Sequence, residues 1–350
     1  MKIKDILQIK YGKSQSSVID ENGKYPIIGT GGIFGYATKY LYNKPSVLIG
    51  RKGSINNPMY VDTPFWTVDT LFYTIIDTSK VIPRWFYYYI STLNLNKFNE
   101  GTTIPSLTTK TLYEIDVPEH SLNYQQHIVD IIGSLDDKIE NNYKLLEKCH
   151  IFLNLNMKKL LIGKDKKIIS SLDDIEIISS GIDKFNNSKI YLDTSCVSDN
   201  SIVDISNKVT YTDRPSRANM KPIKNSVWVA KLKSSPKHII VKDYSDEILD
   251  NCIFSTGFLG IKIDNEKFNL LSTYFTSDVF EKEKDSLSIG ATMQSINNVT
   301  FKGMYIPDFS PTDYISFNNL SQPILKLIYK TELENIKLRK LKNIYLAKFF

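Results

Sequence analysis

A chain of 350 residues, 42% hydrophobic and 23% charged, is long enough for two average domains and too apolar to be disordered throughout. No uncharged apolar run approaches the roughly 18–20 residues that a bilayer crossing needs, and charges at Lys2, Lys4 and Asp5 occupy the place where a signal peptide is apolar. Lys and Arg outnumber Asp and Glu by 44 to 38, a net charge of +6 that leans towards a polyanionic partner without establishing one, while three scattered cysteines (Cys149, Cys196, Cys252) suit a reducing cytoplasm and exclude a disulfide framework.

In chain order, short β-rich runs come first. Ser46-Val47-Leu48-Ile49 and Thr70-Leu71-Phe72-Tyr73-Thr74-Ile75-Ile76 lie between Gly, Pro and Asn turns and predict strands. Gly29-Thr30-Gly31-Gly32, close to Pro26, reads as a turn, and Pro83-Arg84-Trp85-Phe86-Tyr87-Tyr88-Tyr89-Ile90 predicts an aromatic helix. Residues 1–122 are therefore expected to form one mixed α/β domain.

Residues 123–162 predict a long helix, with no proline and the single glycine Gly133. Alternating steps of four and three put Ile128, Leu135, Asn142, Cys149 and Asn156 in one core row. The other row is Ile132, Ile139, Leu146, Leu153 and Leu160, a heptad pattern that indicates a supercoiled pair. Asn142 and Asn156 share a phase, where buried Asn fixes register. Ile131, Leu145, Phe152, Leu155 and Leu161 add more apolar surface than a two-helix seam covers.

The second half repeats the first. Ser226-Val227-Trp228-Val229 reads as a strand and Leu270-Leu271-Ser272-Thr273-Tyr274-Phe275 as a helical stretch. Gly101-Thr102-Thr103-Ile104-Pro105-Ser106-Leu107 returns 189 positions later as Gly290-Ala291-Thr292-Met293-Gln294-Ser295-Ile296, and Leu112 and Val117-Pro118 return as Phe301 and Ile306-Pro307. Residues 163–316 are expected to form a second domain and 317–350 a second helix. Leu320, Ile324, Leu327, Leu338, Leu341 and Tyr345 set its core spacing, interrupted by Thr331 and Glu334. Because a globular part separates the helices, the compact arrangement is an antiparallel pair. The expected fold is α/β: two mixed α/β domains separated by a long antiparallel coiled coil, with an internal pseudo-two-fold repeat.

Fragments that imitate active sites do not survive inspection. Gly12-Lys13-Ser14 ends like a phosphate-binding loop, yet Leu7 stands where the loop needs its first glycine. Asn57-Pro58-Met59-Tyr60 resembles the Asn-Pro-Pro-Tyr loop of adenine methyltransferases, with Met in place of the second proline and no upstream signature for the methyl donor. No Glu-x-Lys nuclease core occurs. His120, His127, His150 and His238 lie far from Cys196 and Cys252, and no Cys-x-x-Cys occurs, so neither a catalytic residue nor a metal site is expected.

Several segments together resemble the DNA specificity (S) subunit of type I restriction–modification systems. Gly101–Thr108, Ile115-Asp116-Val117-Pro118, Gln125-Gln126-His127-Ile128 and Leu135-Asp136-Asp137-Lys138-Ile139-Glu140 are similar to that family's passage from a target-recognition domain into its helix. Tyr211-Thr212-Asp213-Arg214-Pro215-Ser216-Arg217-Ala218 followed by Val227-Trp228-Val229-Ala230 resembles the opening of many second recognition domains, and Cys252-Ile253-Phe254-Ser255-Thr256-Gly257 a later strand. The second repeat differs at Gln294, where the first has Pro105, and its helix has no Gln-Gln start. The resemblance implies a cytoplasmic, non-catalytic reader of a bipartite sequence in double-stranded DNA. It also implies two methyltransferase (M) subunits on the helix pair and restriction (R) subunits joining them, with S-adenosylmethionine, ATP and Mg on those partners and methylation at adenine N6. A single-chain adenine methyltransferase with a degenerate motif and a coiled-coil adaptor without DNA are the alternatives.

Candidate DNA contacts are basic, hydroxyl or amide residues in glycine-containing loops, because Arg and Lys suit guanine and phosphate while Gln suits adenine. In the first domain these are Arg51, Lys52, Ser54, Thr102 and Thr103. In the second they are Arg214, Arg217, Lys231, Lys233, Ser234, Lys237, Thr292 and Gln294. The repeated glycine loops serve either recognition or the shared fold.

Overall fold

Ser46–Gly50 lacks polar alternation, and every one of its residues is buried in the computed structural model, which describes residues 1–242, 245–290 and 293–350. Such a run suits a strand covered on both faces. The chain divides into two units, Met1–Asp137 with Leu341–Phe350, and Lys138–Lys340.

The first unit holds β1 (Leu7–Tyr11), β2 (Tyr25–Gly29), β3 (Gly32–Ala37), β4 (Ser46–Gly50), β5 (Met59–Val61), β6 (Trp66–Thr67) and β7 (Leu71–Ile76). Helices α1 (Pro83–Thr92) and α2 (Thr109–Tyr113) follow, and the long α3 (Leu122–Leu160) starts there. An antiparallel sheet runs β1-β7-β4-β5; a second sheet, β3-β2-β6, contains the parallel pair β2–β6. Pro83 occupies the first turn of α1, where its missing N–H costs nothing, and the helix buries Trp85, Phe86, Tyr88, Tyr89 and Ile90. Val47, Ile49 and Phe72 meet this face, joined by Ile128 and Ile132 of α3. Gly12, from the phosphate-loop look-alike, is there for space: a Cβ would lie 2.0 Å from the Val68 carbonyl oxygen.

The second unit repeats the plan with additions. Its strands are β8 (Lys166–Ile168), β9 (Ile175–Ile177), β10 (Lys189–Leu192), β11 (Val197–Ser198), β12 (Ser201–Ile202), β13 (Lys208–Val209), β14 (Ala218–Met220), β15 (Ser226–Ala230), β16 (His238–Val241), β17 (Cys252–Ser255), β18 (Phe258–Ile263) and β19 (Tyr305–Pro307). Its helices are α4 (Asp246–Asn251), α5 (Phe268–Phe275), α6 (Asp278–Ser286), α7 (Asn298–Lys302) and α8 (Pro311–Phe349). The antiparallel sheet is β16-β15-β18-β9, and β13-β10-β17-β14 contains the parallel pair β10–β17. In order and direction β9, β18, β15 and β16 stand for β1, β7, β4 and β5. The aromatic helix α5 buries Leu270, Leu271, Tyr274 and Phe275 on this sheet.

Within each unit α3 and α8 run antiparallel. His127 faces Phe349 and Asp136 pairs with Lys342 (2.6 Å) in the first; Asn142 bonds Asn335 (2.9 Å) and Lys164 pairs with Asp313 in the second. Asn142 is buried and also donates to Glu334 (2.8 Å). Ile128, Ile132, Ile139, Leu146 and Leu153 are buried, whereas Leu135 and Leu160 are half-buried. Asn156 leaves the seam: it donates to the Phe152 carbonyl of its own helix (2.8 Å), and Met157 is buried in its stead. A 3.6-residue turn drifts against a strict heptad, which moves the buried line along by the helix end.

The second helix differs more from expectation. It begins at Pro311 rather than 317, because Ser310 and Asp313 form a capping box, each bonding the other's backbone N–H. Its inward face is Phe317, Ser321, Leu325, Ile328, Thr331, Asn335 and Ile336. Leu327 and Leu341, expected in the core, are each 39% exposed, and Leu338 is half-buried. Three polar residues occupy the buried line, so apolarity alone selects the wrong stripe.

Gln125, from the Gln-Gln start of α3, is fully buried. Its carbonyl accepts from the Ile82 N–H (2.8 Å) at the head of α1, and its amide donates to the carbonyls of Lys80 (3.0 Å) and His120 (2.9 Å). Gln125→Ala strands three backbone groups and is expected to cost about 3 kcal/mol. A lower urea midpoint with unchanged slope checks this; an unshifted midpoint contradicts it.

Candidate nucleic-acid interface

The glycine loop of each unit closes on itself and onto the end of the central strand. In the first unit Glu100 N–H donates to the Ser106 carbonyl (2.9 Å), Leu107 N–H to the Arg51 carbonyl (3.0 Å) and Gly53 N–H to the Pro105 carbonyl (2.9 Å). The second unit makes the same bonds at the equivalent positions. Ile289 N–H donates to Ser295 (3.1 Å), Ile296 N–H to Lys231 (3.0 Å) and Lys233 N–H to Gln294 (2.9 Å). Thr108 caps α2 as Asn297 caps α7. The glycines serve this clasp: a Cβ on Gly101 would lie 2.0 Å from the Ile104 carbonyl oxygen, and Gly290 has φ +138°. Asn99 supports the first loop, its side-chain oxygen accepting from the N–H groups of Gly101 (2.9 Å) and Ser106 (2.8 Å). That Asx turn, legible as Asn two residues before Gly, is a signal the sequence reasoning passed over.

The clasp sorts the nominated residues. Arg51 and Lys231 are equivalent braces: the Arg51 guanidinium donates to the Asp69 carbonyl (2.9 Å) and the Lys231 ammonium to the Thr256 carbonyl (2.9 Å). Burial holds the Lys231 amine below the usual lysine range. Arg214 is likewise occupied, bonding the carbonyls of Tyr211 (2.6 Å) and Ala218 (3.1 Å) while lying 4.2 Å over the Tyr211 ring. Lys237 donates to the Thr194 carbonyl (2.7 Å). In these four candidates the cationic side chain bonds backbone carbonyl oxygens of its own unit.

Other nominees stand outward. Lys52, Ser54, Thr102 and Thr103 are exposed around the first clasp. At the second, Lys233 and Gln294 are exposed and bonded to each other (Nζ to Oε1, 2.8 Å). Ser234 is exposed with φ +55°, its N–H held by Asp285 (2.9 Å). Arg217 is exposed, with its carbonyl accepting from Thr256 N–H (2.9 Å), next to the Lys231 brace. Thr292 lies outside the described residues. The structure thus gathers Lys52, Ser54, Thr102 and Thr103 on one clasp and Arg217, Lys233, Ser234 and Gln294 on the other.

The methyltransferase look-alike is part of the frame. Met59 and Tyr60 form edge strand β5, Tyr60 opposite Val47, and the Tyr60 ring lies 5.9 Å from that of Tyr87. Among the described residues no group of three or more His, Cys, Asp and Glu is placed to hold a metal, and no helix is long and apolar enough to cross a membrane. Cys149, Cys196 and Cys252 are free and buried.

Residues 1–149 match the family model for the type I restriction modification DNA specificity domain. The match covers less than half of the chain. The chain is also similar to the type I restriction enzyme MjaIX specificity subunit of Methanocaldococcus jannaschii, 27% identical over 183 residues, which are 44% of this chain and 42% of that relative. The match therefore spans less than half the length of the curated relative. In fold the chain is similar to the crystal structure of a type I restriction–modification S subunit from M. genitalium, with a TM-score of 0.56 at 15% identity, over 100% of this chain and 95% of that one. The specificity-subunit resemblance read from the sequence holds, and so does the mixed α/β architecture with a long helix between sheet-rich parts.

Proposed function

We propose that this chain is the specificity subunit of a type I restriction–modification assembly, a non-catalytic reader of a two-part sequence in duplex DNA. The observation that carries the reading is one backbone clasp built twice with different side chains on it. Position 52 is Lys and its equivalent 232 is Leu; Gly53 answers to Lys233, and Pro105 to Gln294. A shared frame with unlike outward groups is what two readers of unlike half-sites require. Methyltransferase and restriction subunits complete the assembly, carrying S-adenosylmethionine, ATP and Mg, and a cytoplasmic location follows from DNA as substrate. Exposed apolar residues of α3, among them Ile151 (51%), Phe152 (42%) and Leu155 (55%), suit a partner subunit better than water.

The test is a methylome. Lys233→Ala and Arg217→Ala are expected to relax the bases recognised in one half-site only, since a bidentate Arg or Lys contact to guanine is worth about 1–3 kcal/mol of discrimination. Genomic N6-methyladenine sequencing of cells carrying each variant reads both halves together. Uniform loss of methylation assigns the residue to phosphate, and a methylome without any two-part motif sinks the reading.

A further inference from the structure

The hairpin β2–β3 carries two large apolar side chains that are more than half exposed. Gly29 pairs with Gly32 across the two-residue turn Thr30–Gly31, and Gly32 has φ +106°, a conformation that favours glycine. Just beyond the turn, Ile33 is 60% and Phe34 53% exposed. Phe34 is the extra residue of a β-bulge, since Ile28 pairs with Ile33 and Ile27 with Gly35. Phe34 is nevertheless seated: its ring lies over Gly29, where a Cβ would come within 3.2 Å of it, close to the Val68 side chain.

From that seat the chain leads straight to the first clasp. Val68 precedes Asp69, whose carbonyl holds the Arg51 guanidinium, and Thr70, whose carbonyl takes the Arg51 N–H (2.8 Å). Lys13, exposed, is pinned beside the same segment by its N–H on the Thr67 carbonyl (2.9 Å), and Lys52 stands exposed on the clasp. The segment Thr67–Thr70 that runs on from the aromatic seat thus has an exposed lysine tied to each end, Lys13 and Lys52, with the exposed Asp69 between. A protein-binding patch needs no such lysines. A polyanion does, and the tip Gly29–Gly32, beyond the last residue that β6 pairs, is a two-stranded ribbon narrow enough for the major groove.

We propose that the β2–β3 hairpin enters the major groove of the first half-site, with Phe34 against a thymine 5-methyl group and Lys13 and Lys52 on the flanking phosphates. This rests on the DNA-reading function proposed above and adds to it a base and a residue. The glycine turn lets the backbone approach the base edges, and the Gly29 seat keeps the Phe34 ring in place in the absence of DNA.

The experiment uses the full chain co-purified with its methyltransferase subunits. The probe is the duplex defined by the methylome, with each thymine of the first half-site replaced in turn by deoxyuridine, which removes only the methyl group. Anisotropy titrations are expected to show about fourfold weaker binding at one thymine, the worth of one buried methyl group. Phe34→Ala is expected to bind the unmodified duplex with a similar loss and to be indifferent to that deoxyuridine, whereas Phe34→Tyr keeps the sensitivity. A deoxyuridine in the second half-site leaves both variants equal and is the internal control. Phe34→Ala that binds as tightly as the parent, or remains sensitive to the missing methyl group, overturns the proposal. So does a parent complex blind to every deoxyuridine. Phe34→Ala that loses its methyltransferase subunits while keeping the thymine contrast makes the hairpin a protein-docking element and also overturns it. If the parent complex fails to prefer its own duplex, the DNA-reading function itself has failed.

Discussion

Gly260→Ala is expected to destabilise the second unit by about 3 kcal/mol or more, because a single added methyl has nowhere to go. Gly260 on β18 lies directly opposite Trp228 on β15, and a Cβ there would stand 2.6 Å from the indole ring. The ring cannot retreat. It is fully buried, its N–H donates to the Ser226 hydroxyl (2.8 Å), and Phe254 packs edge-on against it at 4.9 Å. The first unit solves the same register with Leu48 opposite Tyr73. One pair places its bulk on the central strand and the other on the neighbour. Trp228→Leu should therefore lose part of its own cost in the Gly260→Ala background, a favourable coupling that a double-mutant cycle in urea measures. Additive effects would show that the two positions do not share the space.

Glu332→Gln is expected to stabilise the second unit, and to do so only as the pH rises. Glu332 lines a small cavity with His150, His238 and Phe268, and both carboxylate oxygens are buried without a hydrogen-bond partner of ordinary geometry. Burial pushes its carboxyl up to about 7, opposed in part by Ser201 and the Ile202 backbone. A folded-state value above the unfolded one means that the folded chain must hold a proton that the unfolded chain has released. Stability from this group is therefore intact below about pH 4.5, falls as the pH climbs to 7, and is flat beyond, the total being about 3 kcal/mol. His150 acts oppositely, burial pushing it down to about 4, so its contribution falls as the pH drops below 6.5. It is present in both proteins and cancels in their difference. Urea midpoints from pH 4.5 to 8 should diverge steadily up to neutrality. Parallel curves would mean that Glu332 is not protonated in the fold.

What the sequence made legible follows from which residues advertise their burial. The first long helix did: Ile132, Ile139, Leu146 and Leu153 are apolar and buried. The second helix hides its inner face behind Ser321, Thr331 and Asn335, and shows Leu327 and Leu341 to solvent. The glycine loops were found because Gly101 and Gly290 must be glycine or strain the clasp. Strands were read at 46–49, 70–76 and 226–229, but their correspondence was not, since Leu48 and Tyr73 answer to Trp228 and Gly260, pairs that share no letters. Among the site residues charge was readable and its destination was not. Nothing in the spelling of Arg214, Lys231 or Lys237 says that a carbonyl oxygen waits for each. Phe34 escaped because an aromatic residue beside glycines reads as core or turn, and only exposure on a folded hairpin distinguishes it.

Both clasps are closed by main-chain N–H and C=O groups, and at 52, 233 and 294 the main-chain bonds do not depend on which side chain the residue carries. The outward residues at 52, 233 and 294 are therefore decoupled from folding: exchanging them changes what is displayed and leaves the mount in place. On the DNA-reading function proposed above, a new preference would then lie one codon away, with no valley of misfolded intermediates to cross. A side-chain-built mount would have tied every change of specificity to a change in stability.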